Sequence, residues 1–320
     1  MPSIFIQIPS YRDFELNKTV ASAINNASGL NKLSFGIHNC ILFDSEVEVK
    51  TDYPSWVTVN SKTSIAPDNI GLQQSRHIAN EFYNREDFYL QIDSHMRFFK
   101  NWDSNLIDGI KKYQDMGIEK PLITQYPPSY SYHDNGTEKL YEHGHFYQCG
   151  ISFDEKPEQF KETLIPTQTA KNDSDTCGYI KSVSGGHIFT LGEFSKIKPN
   201  QKIAFWGEEP LIAARAFTHG FDLVMPFADS VMHLYHSQQT FAKTRRHHVW
   251  ADFPEIWGEL DTQSKTEYKK IFTERIIGDG ALGNVRSLEA YEEFSGLNFK
   301  DGTIKTFNEP TIIFQQLGEN

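Results

Sequence analysis

An aspartate and a histidine follow an apolar segment near residue 90, and their side chains are of types that bind divalent cations. The segment Phe88–Ile92 runs directly into Asp93, and His95 lies two positions later. Because side chains alternate along a strand with a period of two, Asp93 and His95 would project from the same face. Mixed oxygen and nitrogen ligation with open positions suits Mn²⁺ or Mg²⁺, whose remaining sites take phosphate or water. Such triplets also arise by chance, so the interpretation depends on the rest of the chain.

Four other clusters of polar and aromatic residues accompany this pair. They are Pro9-Ser10-Tyr11-Arg12-Asp13, Gly71-Leu72-Gln73-Gln74-Ser75-Arg76, Trp206-Gly207-Glu208-Glu209 and Val231-Met232-His233-Leu234-Tyr235-His236. His233 is a candidate third ligand, although a histidine with apolar neighbours can equally be a hydrogen-bonded core residue. His236, three positions later, would lie on the opposite face of a strand.

Composition indicates a globular protein that does not bind nucleic acid. Hydrophobic residues make up 38% and charged residues 23% of the 320 positions, and the net charge of −11 opposes binding to a polyanion. The aromatic fraction of 13% can supply rings that stack on sugars or bases. Cys40, Cys149 and Cys177 form no C-x-x-C motif and leave one cysteine unpaired, as in a reducing cytoplasm. No hydrophobic run approaches membrane-spanning length, so we expect a cytoplasmic protein without a membrane span.

Strand and helix patterns alternate in the N-terminal part, which predicts an α/β fold with a doubly wound, mostly parallel sheet. The predicted elements are a strand at Ser3–Pro9, a helix at Glu15–Asn25, strands at Leu33–Phe43 and Trp56–Val59, and a helix at Leu72–Tyr83 capped by Asp68 and Asn69. Ligands bind such sheets at the carboxyl ends of the strands, where Asp93 would lie.

The C-terminal part is less regular. Residues 127 to 175 are polar and rich in turn formers, which indicates a long loop that is functional or disordered. Beyond it the patterns predict structure at 181–189, a helix at Glu209–His219, strands at Phe221–Met225 and Ser230–Tyr235, and helices at Asp261–Ile277 and Ser287–Phe294.

The order and wording of these motifs resemble retaining GT-A glycosyltransferases, in particular the polypeptide N-acetylgalactosaminyltransferases. A G-L-x-x-S-R segment ahead of L-D-S-H is matched by Gly71–Arg76 and Ile92–His95. W-G-G-E-N with a downstream arginine is matched by Trp206–Pro210 and Arg215, and V-G-H-V-F by Val231–Tyr235. The nearer resemblance is to glycosyltransferase family 60, N-acetylglucosaminyltransferases that modify hydroxyproline on a cytoplasmic ubiquitin-ligase subunit. The likeness covers roughly residues 3 to 250.

The resemblance implies a GT-A fold, with a Rossmann-like, mostly parallel central sheet flanked by helices and a small C-terminal helical extension. It implies a catalytic domain over residues 1–245, with 127–175 as an acceptor-side loop, followed by a helical extension and tail over 246–320. The implied activity is metal-dependent and retaining. A sugar, GlcNAc above all, would pass from a UDP-sugar donor to a hydroxyl of a protein or glycan, with Mn²⁺ (or Mg²⁺) as cofactor.

The same resemblance assigns roles to individual residues. The implied metal ligands are Asp93, His95 and His233. The implied catalytic residues are Arg76, Glu208 and Glu209, with Arg76 directed at the diphosphate or an acidic partner. The donor-binding set comprises Pro9, Ser10, Tyr11 and Arg12 for uracil and ribose, together with Gly71, Arg76, Asp93, Ser94, Gly185, Gly186 and Trp206.

Several alternatives remain open. An inverting transferase would use Glu208 or Glu209 as general base. A metallohydrolase built on the three metal ligands would release sugar or phosphate without an acceptor, and a silent module would bind the sugar nucleotide without turnover. Four further sets of residues could either belong to the site or be purely structural or solvent-exposed. They are the aromatics of Tyr126–Tyr132 (acceptor groove or packed loop), Trp206 (sugar pocket or core), His247 and His248 (diphosphate loop or solvent), and Arg215 (pairing with an acid).

Overall fold

The computed structural model describes residues 1–43, 48–140, 147–152, 165, 167–172, 178–235 and 246–304. The strands of this part of the chain, in order from β1 to β15, are Ser3–Tyr11, Lys32–Ile41, Val57–Ile65, Phe88–Ile92, Met96–Phe98, Pro121–Thr124, Ser131–Tyr132, Glu138–Lys139, Tyr147–Ser152, Thr167–Asn172, His187–Leu191, Asp222–Val224, Val231–His233, Leu297–Asn298 and Thr303–Ile304. The α-helices, in order from α1 to α7, are Leu16–Asn26, Leu72–Asn80, Trp102–Asp115, Glu208–Thr218, Val249–Asp252, Pro254–Thr273 and Leu288–Ser295. A short 3₁₀-helix follows β11 at Gly192–Lys196.

A seven-stranded sheet with the order β12-β6-β11-β4-β1-β2-β3 forms the centre of the fold. Strand β1 runs parallel to both β2 and β4, β2 is parallel to β3, and β6 is parallel to β12. Strand β11 is antiparallel to both of its neighbours, β4 and β6. The predicted mostly parallel α/β fold is therefore confirmed.

Both faces of this sheet are covered, which explains why β1 reads as a continuous apolar run. Ile4, Ile6 and Ile8 point to one side, into a hydrophobic cluster with α1 and α3. Phe5 points to the other side, into a cluster that includes α4, α6 and α7. The C-terminal helices thus pack against the same sheet that positions the site.

Several predicted boundaries were wrong. Helix α2 follows Gly71 without a side-chain cap, so Asp68 and Asn69 do not cap it; Asn69 has φ 59° in the preceding turn. The helix ends at Asn80, not at Tyr83. Helix α6 begins at Pro254, seven positions before the predicted start, because proline is well suited to the first turn of a helix.

The region 127–175 is not one continuous loop, because it contains the short strands β7 to β10. Predictions that fall on residues 141–146, 153–164, 166, 173–177, 236–245 and 305–320 lie outside the described residues, and these include the orientation of His236. Among the residues that are described, no helix is long and apolar enough to cross a membrane.

Candidate active site

A cavity of about 640 Å³ opens at the carboxyl ends of β1, β2 and β4. Tyr11 and Cys40, near the ends of β1 and β2, line it, as does Asp93, which directly follows β4. This is the edge at which parallel α/β sheets bind ligands, because the strands end together there and the following loops diverge. The cavity is therefore the candidate active site.

Three potential metal ligands meet in this cavity. Ligand atoms of Asp93, His95 and His233 all lie within 4.8 Å of one another. The Nε2 atoms of the two histidines are 3.0 Å apart, and His233 Nε2 is 3.3 Å from Asp93 Oδ2. Burial lowers the pKa of His233 to about 4, so its imidazole is neutral and available as a ligand at neutral pH.

Backbone pairing brings His233 to the other two ligands. Strand β13 is antiparallel to β5, with His233 opposite Met96, the residue after His95. The His233 N–H also donates to Pro128 O at 2.9 Å, so the strand is held on both sides. The prediction that Asp93 and His95 lie on one strand was wrong, because the two residues occupy the connection between β4 and β5. Their side chains nevertheless converge.

The donor set fits a divalent cation of the manganese or magnesium type. In an octahedral site with bonds of about 2.1 Å, adjacent ligands lie about 3.0 Å apart, which matches the separation of the two imidazole nitrogens. The backbone beside the ligands leaves little room for a side chain. A Cβ at Gly186 would lie 2.8 Å from Asp93 Oδ2, and one at Gly185 would lie 3.1 Å from Glu208 Oε2.

Asp13 and Arg246 contact His95 from opposite sides of its ring, and the sequence interpretation assigned a role to neither. Asp13 Oδ2 accepts hydrogen bonds from His95 Nδ1 and Ser94 Oγ, both at 2.7 Å. Although burial opposes ionisation, the neighbouring His95 lowers the pKa of Asp13 to about 2. Arg246 donates to His95 Nε2. The signal for Asp13 was an acidic residue just beyond the first strand.

Arg76 is buried between two carboxylates. Its Nε donates to Glu208 Oε1 at 2.5 Å, and its Nη2 donates to Asp93 Oδ1 at 3.2 Å and to Gly185 O at 3.0 Å. Gln73 adds a hydrogen bond to Glu208 Oε1 at 2.7 Å. Burial works against the charge, but Glu208 and Asp93 outweigh it and raise the pKa of Arg76. Of the two predicted partners of Arg76, the acidic one is present, and Glu208 binds Arg76 through Oε1.

Glu209 differs from its neighbour because its contacts are with neutral groups. Its Oε1 accepts the Gly185 N–H at 2.7 Å, and its Oε2 accepts the Tyr126 hydroxyl at 3.2 Å. Burial raises the pKa of Glu209 to about 7, since no cation compensates the charged form there. Both glutamates begin α4, after Gly207, whose φ of 87° suits glycine and where an added Cβ would lie 2.6 Å from the ring of Tyr268.

The residues at the end of β1 divide between the cavity and helix α5. Pro9, Ser10 and Tyr11 line the cavity. The Tyr11 hydroxyl and Arg12 Nη1 both donate to Asp252 of α5, at 2.8 Å and 2.6 Å. Arg12 and Gly71 do not reach the lining of the cavity within the described part of the chain.

Aromatic rings form one wall of the cavity. Trp206 meets Phe205 edge-on with ring centroids 5.1 Å apart, and His248 stacks on Trp250 at 4.4 Å. Trp257 lies 5.4 Å from Trp250 and completes the wall. The sequence interpretation identified Trp206 as a pocket candidate but overlooked both other tryptophans, which follow the last motif.

The remaining ambiguous residues divide between packing and the site. Tyr130 and Tyr132 are buried in a small cluster with Met232 and Leu234, whereas Tyr126 lines the cavity. His247 and His248 also line it. Arg215 donates to the carbonyl oxygens of Ala281 and Lys198, whereas the acidic side chain of Asp279 favours its charge without forming a direct ion pair.

Comparisons with known proteins agree with this architecture. A model of the family described as glycosyltransferase (GlcNAc) matches residues 57–301. The structure of GalNAc-T7 with UDP, GalNAc and Mn²⁺ aligns with a TM-score of 0.54 and 16% identity over 96% of this chain and 55% of that one, so the chain spans about half of that protein. TarS from S. aureus, solved over residues 1–349 with UDP-GlcNAc, aligns with a TM-score of 0.40 and 11% identity over 86% of this chain and 71% of that one. A search of curated proteins finds no match. The family match extends over more than half of the chain, and the protein therefore belongs to the glycosyltransferase (GlcNAc) family.

Proposed function

We propose that this glycosyltransferase transfers GlcNAc from UDP-GlcNAc to a hydroxyl group on a protein or glycan, with a divalent cation bound by Asp93, His95 and His233. The observation that carries the proposal is the convergence of these three ligands in a cavity at the carboxyl edge of the sheet. Mn²⁺ is the proposed ion, with Mg²⁺ as a substitute. The family description supports GlcNAc, and the GalNAc-T7 structure contains UDP and Mn²⁺.

When bound, the cation would neutralise the diphosphate that leaves the sugar. The chain's own residues prepare its place. Arg76 holds the carboxylate of Asp93 from one side. Although burial opposes ionisation, the hydrogen bond with His233 and the guanidinium of Arg76 keep the pKa of Asp93 far below its usual value. Gly185 and Gly186 let the donor approach the backbone, because neither presents a Cβ there.

The two glutamates have different proposed roles. Glu208 is bound by Arg76 and Gln73, so we assign it to positioning Arg76 rather than to proton transfer. Glu209 faces the cavity beside Tyr126, and a carboxylate there can accept hydrogen bonds from sugar or acceptor hydroxyls. The proposed stereochemical outcome is retention, which gives an α-linkage. In the inverting alternative Glu209 would be the general base, and its pKa of about 7 suits that role.

We assign the donor-binding roles to the residues that line the cavity. Pro9, Ser10 and Tyr11 would hold uracil and ribose, and the wall that includes Trp206 and Trp250 offers flat apolar rings to a base or a sugar. Arg12 would act through its bond to Asp252. A cytoplasmic location, hydroxyproline as acceptor and a domain boundary near residue 245 are further proposals.

Transfer is tested by incubating the protein with Mn²⁺ and a panel of UDP-sugars, with and without hydroxyl acceptors. UDP release that depends on the acceptor and is greatest with UDP-GlcNAc supports the proposal. Release without any acceptor would instead identify a hydrolase, and binding without turnover a silent module. The anomeric configuration of the product, read by NMR, decides the stereochemistry, and a β-linked sugar would contradict retention.

A further inference from the structure

We propose that Asp13 is a positioning residue for the cation: it holds His95 in the tautomer whose Nε2 lone pair faces the metal site. The inference rests on the metal site of the proposed function and goes beyond its three ligands. It concerns a residue that never touches the cation and acts through His95.

The Asp13 carboxylate is itself rigidly held. The residue is 3% exposed. Its Oδ2 accepts from His95 Nδ1 and Ser94 Oγ, and its Oδ1 accepts the Glu15 N–H at 2.9 Å. Three donors therefore fix both oxygens, and the His95 ring is oriented by an acceptor that has no freedom to rotate.

Two independent contacts define the same tautomer of His95. An ionised carboxylate only accepts, so the proton of the shared hydrogen bond belongs to His95 Nδ1. A guanidinium only donates, so the contact from Arg246 requires a lone pair on His95 Nε2. A neutral imidazole has one N–H and one lone pair, and both contacts place the lone pair on the nitrogen that faces His233.

The second histidine of the site has no such support. His233 Nδ1 is buried and has no hydrogen-bond partner among the residues that the structure describes. Ligand histidines usually donate their second N–H to a carboxylate or carbonyl, and removal of that partner commonly weakens metal binding 10- to 100-fold. Asp13 therefore gives His95 an acceptor at Nδ1, which His233 lacks among the described residues.

Helix α1 reinforces this arrangement. Thr19 Oγ1 donates to Ser94 O at 2.7 Å and accepts the Met96 N–H at 2.8 Å. Asp13, which precedes α1, and Thr19, in its first turn, thus hold Ser94, His95 and Met96. The ligand-bearing connection is held by side chains from a different part of the fold.

The test substitutes Asp13→Asn and measures Mn²⁺ affinity by calorimetry, together with the ¹⁵N NMR tautomer of His95 in the metal-free protein. The amide keeps the size of the carboxylate but has a single acceptor oxygen, so it cannot accept both from the Glu15 N–H and from His95 Nδ1. We expect Mn²⁺ binding to weaken about 10- to 100-fold, and the tautomer population of His95 to move from Nδ1–H toward Nε2–H.

Asp103→Asn is the matched control. Asp103 is also buried and accepts from Ser28 N, Ser28 Oγ and Asn31 Nδ2 at 2.7 to 2.8 Å, but it lies on α3 and does not line the cavity. This variant should keep the affinity for Mn²⁺ even if its thermal stability falls.

The possible outcomes separate this inference from the proposed function. A folded Asp13→Asn protein that binds Mn²⁺ like the unaltered protein overturns the inference alone. An Nε2–H tautomer of His95 in the unaltered protein also overturns it, and that measurement does not require the variant to fold. If the unaltered protein binds no Mn²⁺, the metal site and the inference fail together.

Discussion

The Nε2 atoms of His95 and His233 lie 3.0 Å apart, although the two residues are separated by 138 positions in the sequence. In the structure this contact is a hydrogen bond, and which nitrogen carries the proton depends on the tautomers of the two rings. If both Nε2 atoms present their lone pairs, a cation between them and Asp93 would replace this hydrogen bond by shared ligation. This relationship makes the metal site the first feature to test.

Replacement of His233 by alanine should abolish that ligation. We expect Mn²⁺ affinity and UDP release each to fall at least about 100-fold, since one of the three proposed protein ligands would be lost. Calorimetry and an acceptor-dependent UDP assay measure the two effects. His187→Asn is the control, because His187 is a buried histidine bonded to Ser230 outside the cavity. Equal loss in both variants would indicate a general effect on folding.

Removal of Arg76 should destabilise the protein. Arg76→Ala would leave Glu208 and Asp93 as neighbouring carboxylates without their guanidinium, at a cost of about 3 to 5 kcal/mol in the free energy of unfolding. Urea denaturation measures this change in the free energy of unfolding. Lys62→Ala breaks an ion pair with Glu81 in which both side chains are about half exposed, and should change the same quantity by at most about 1 kcal/mol. Similar values for the two variants would contradict a buried ion pair at Arg76.

A methyl group at Gly186 should damage the site without unfolding the chain. Gly186→Ala places Cβ 2.8 Å from Asp93 Oδ2, so the ligand carboxylate must move. We expect an activity loss of about 10- to 100-fold, comparable to the loss of a supporting partner, with an unchanged circular dichroism spectrum. Gly258→Ala on α6 meets nothing within 4 Å and should leave the activity unchanged. Full activity of Gly186→Ala would argue that Asp93 is not a ligand.

Glu209 should make stability fall as pH rises. Its pKa is raised from 4.5 to about 7 in the folded protein, so between these values the unfolded chain is ionised while the native state keeps the proton. The native state thus binds more protons, and the free energy of unfolding decreases across this window.

In Glu209→Gln this decrease should be absent. Relative to the unaltered protein, the variant should show little change near pH 4 and a relative gain of about 2 kcal/mol by pH 8, reduced from the full linkage value because the side chain is partly exposed to the cavity. Thermal or urea unfolding at both pH values measures the difference. A constant difference across the range would contradict the raised pKa.

The sequence by itself determined the local features of this protein. Strands β1 and β4 and the amphipathic helix α1 were predicted from the spacing of their hydrophobic residues. The alternation of strands and helices predicted the edge of the sheet at which ligands bind. Asp93 and His95 were found because they are close in the chain and follow a buried strand. Helix boundaries such as Asn80 were less predictable, since packing shifts the ends of helices by a few residues.

Only the tertiary structure decided which distant side chains meet. The pairing of β13 with β5 placed His233 beside His95, and the turn after β1 placed Asp13 behind it. The structure also distinguished Glu208, bound to Arg76, from Glu209, bound to Tyr126 and to the Gly185 N–H. Composition and spacing could not distinguish adjacent glutamates, because their roles depend on long-range pairing and packing. Local preferences encode the elements, whereas the chemistry of the site depends on how those elements are brought together.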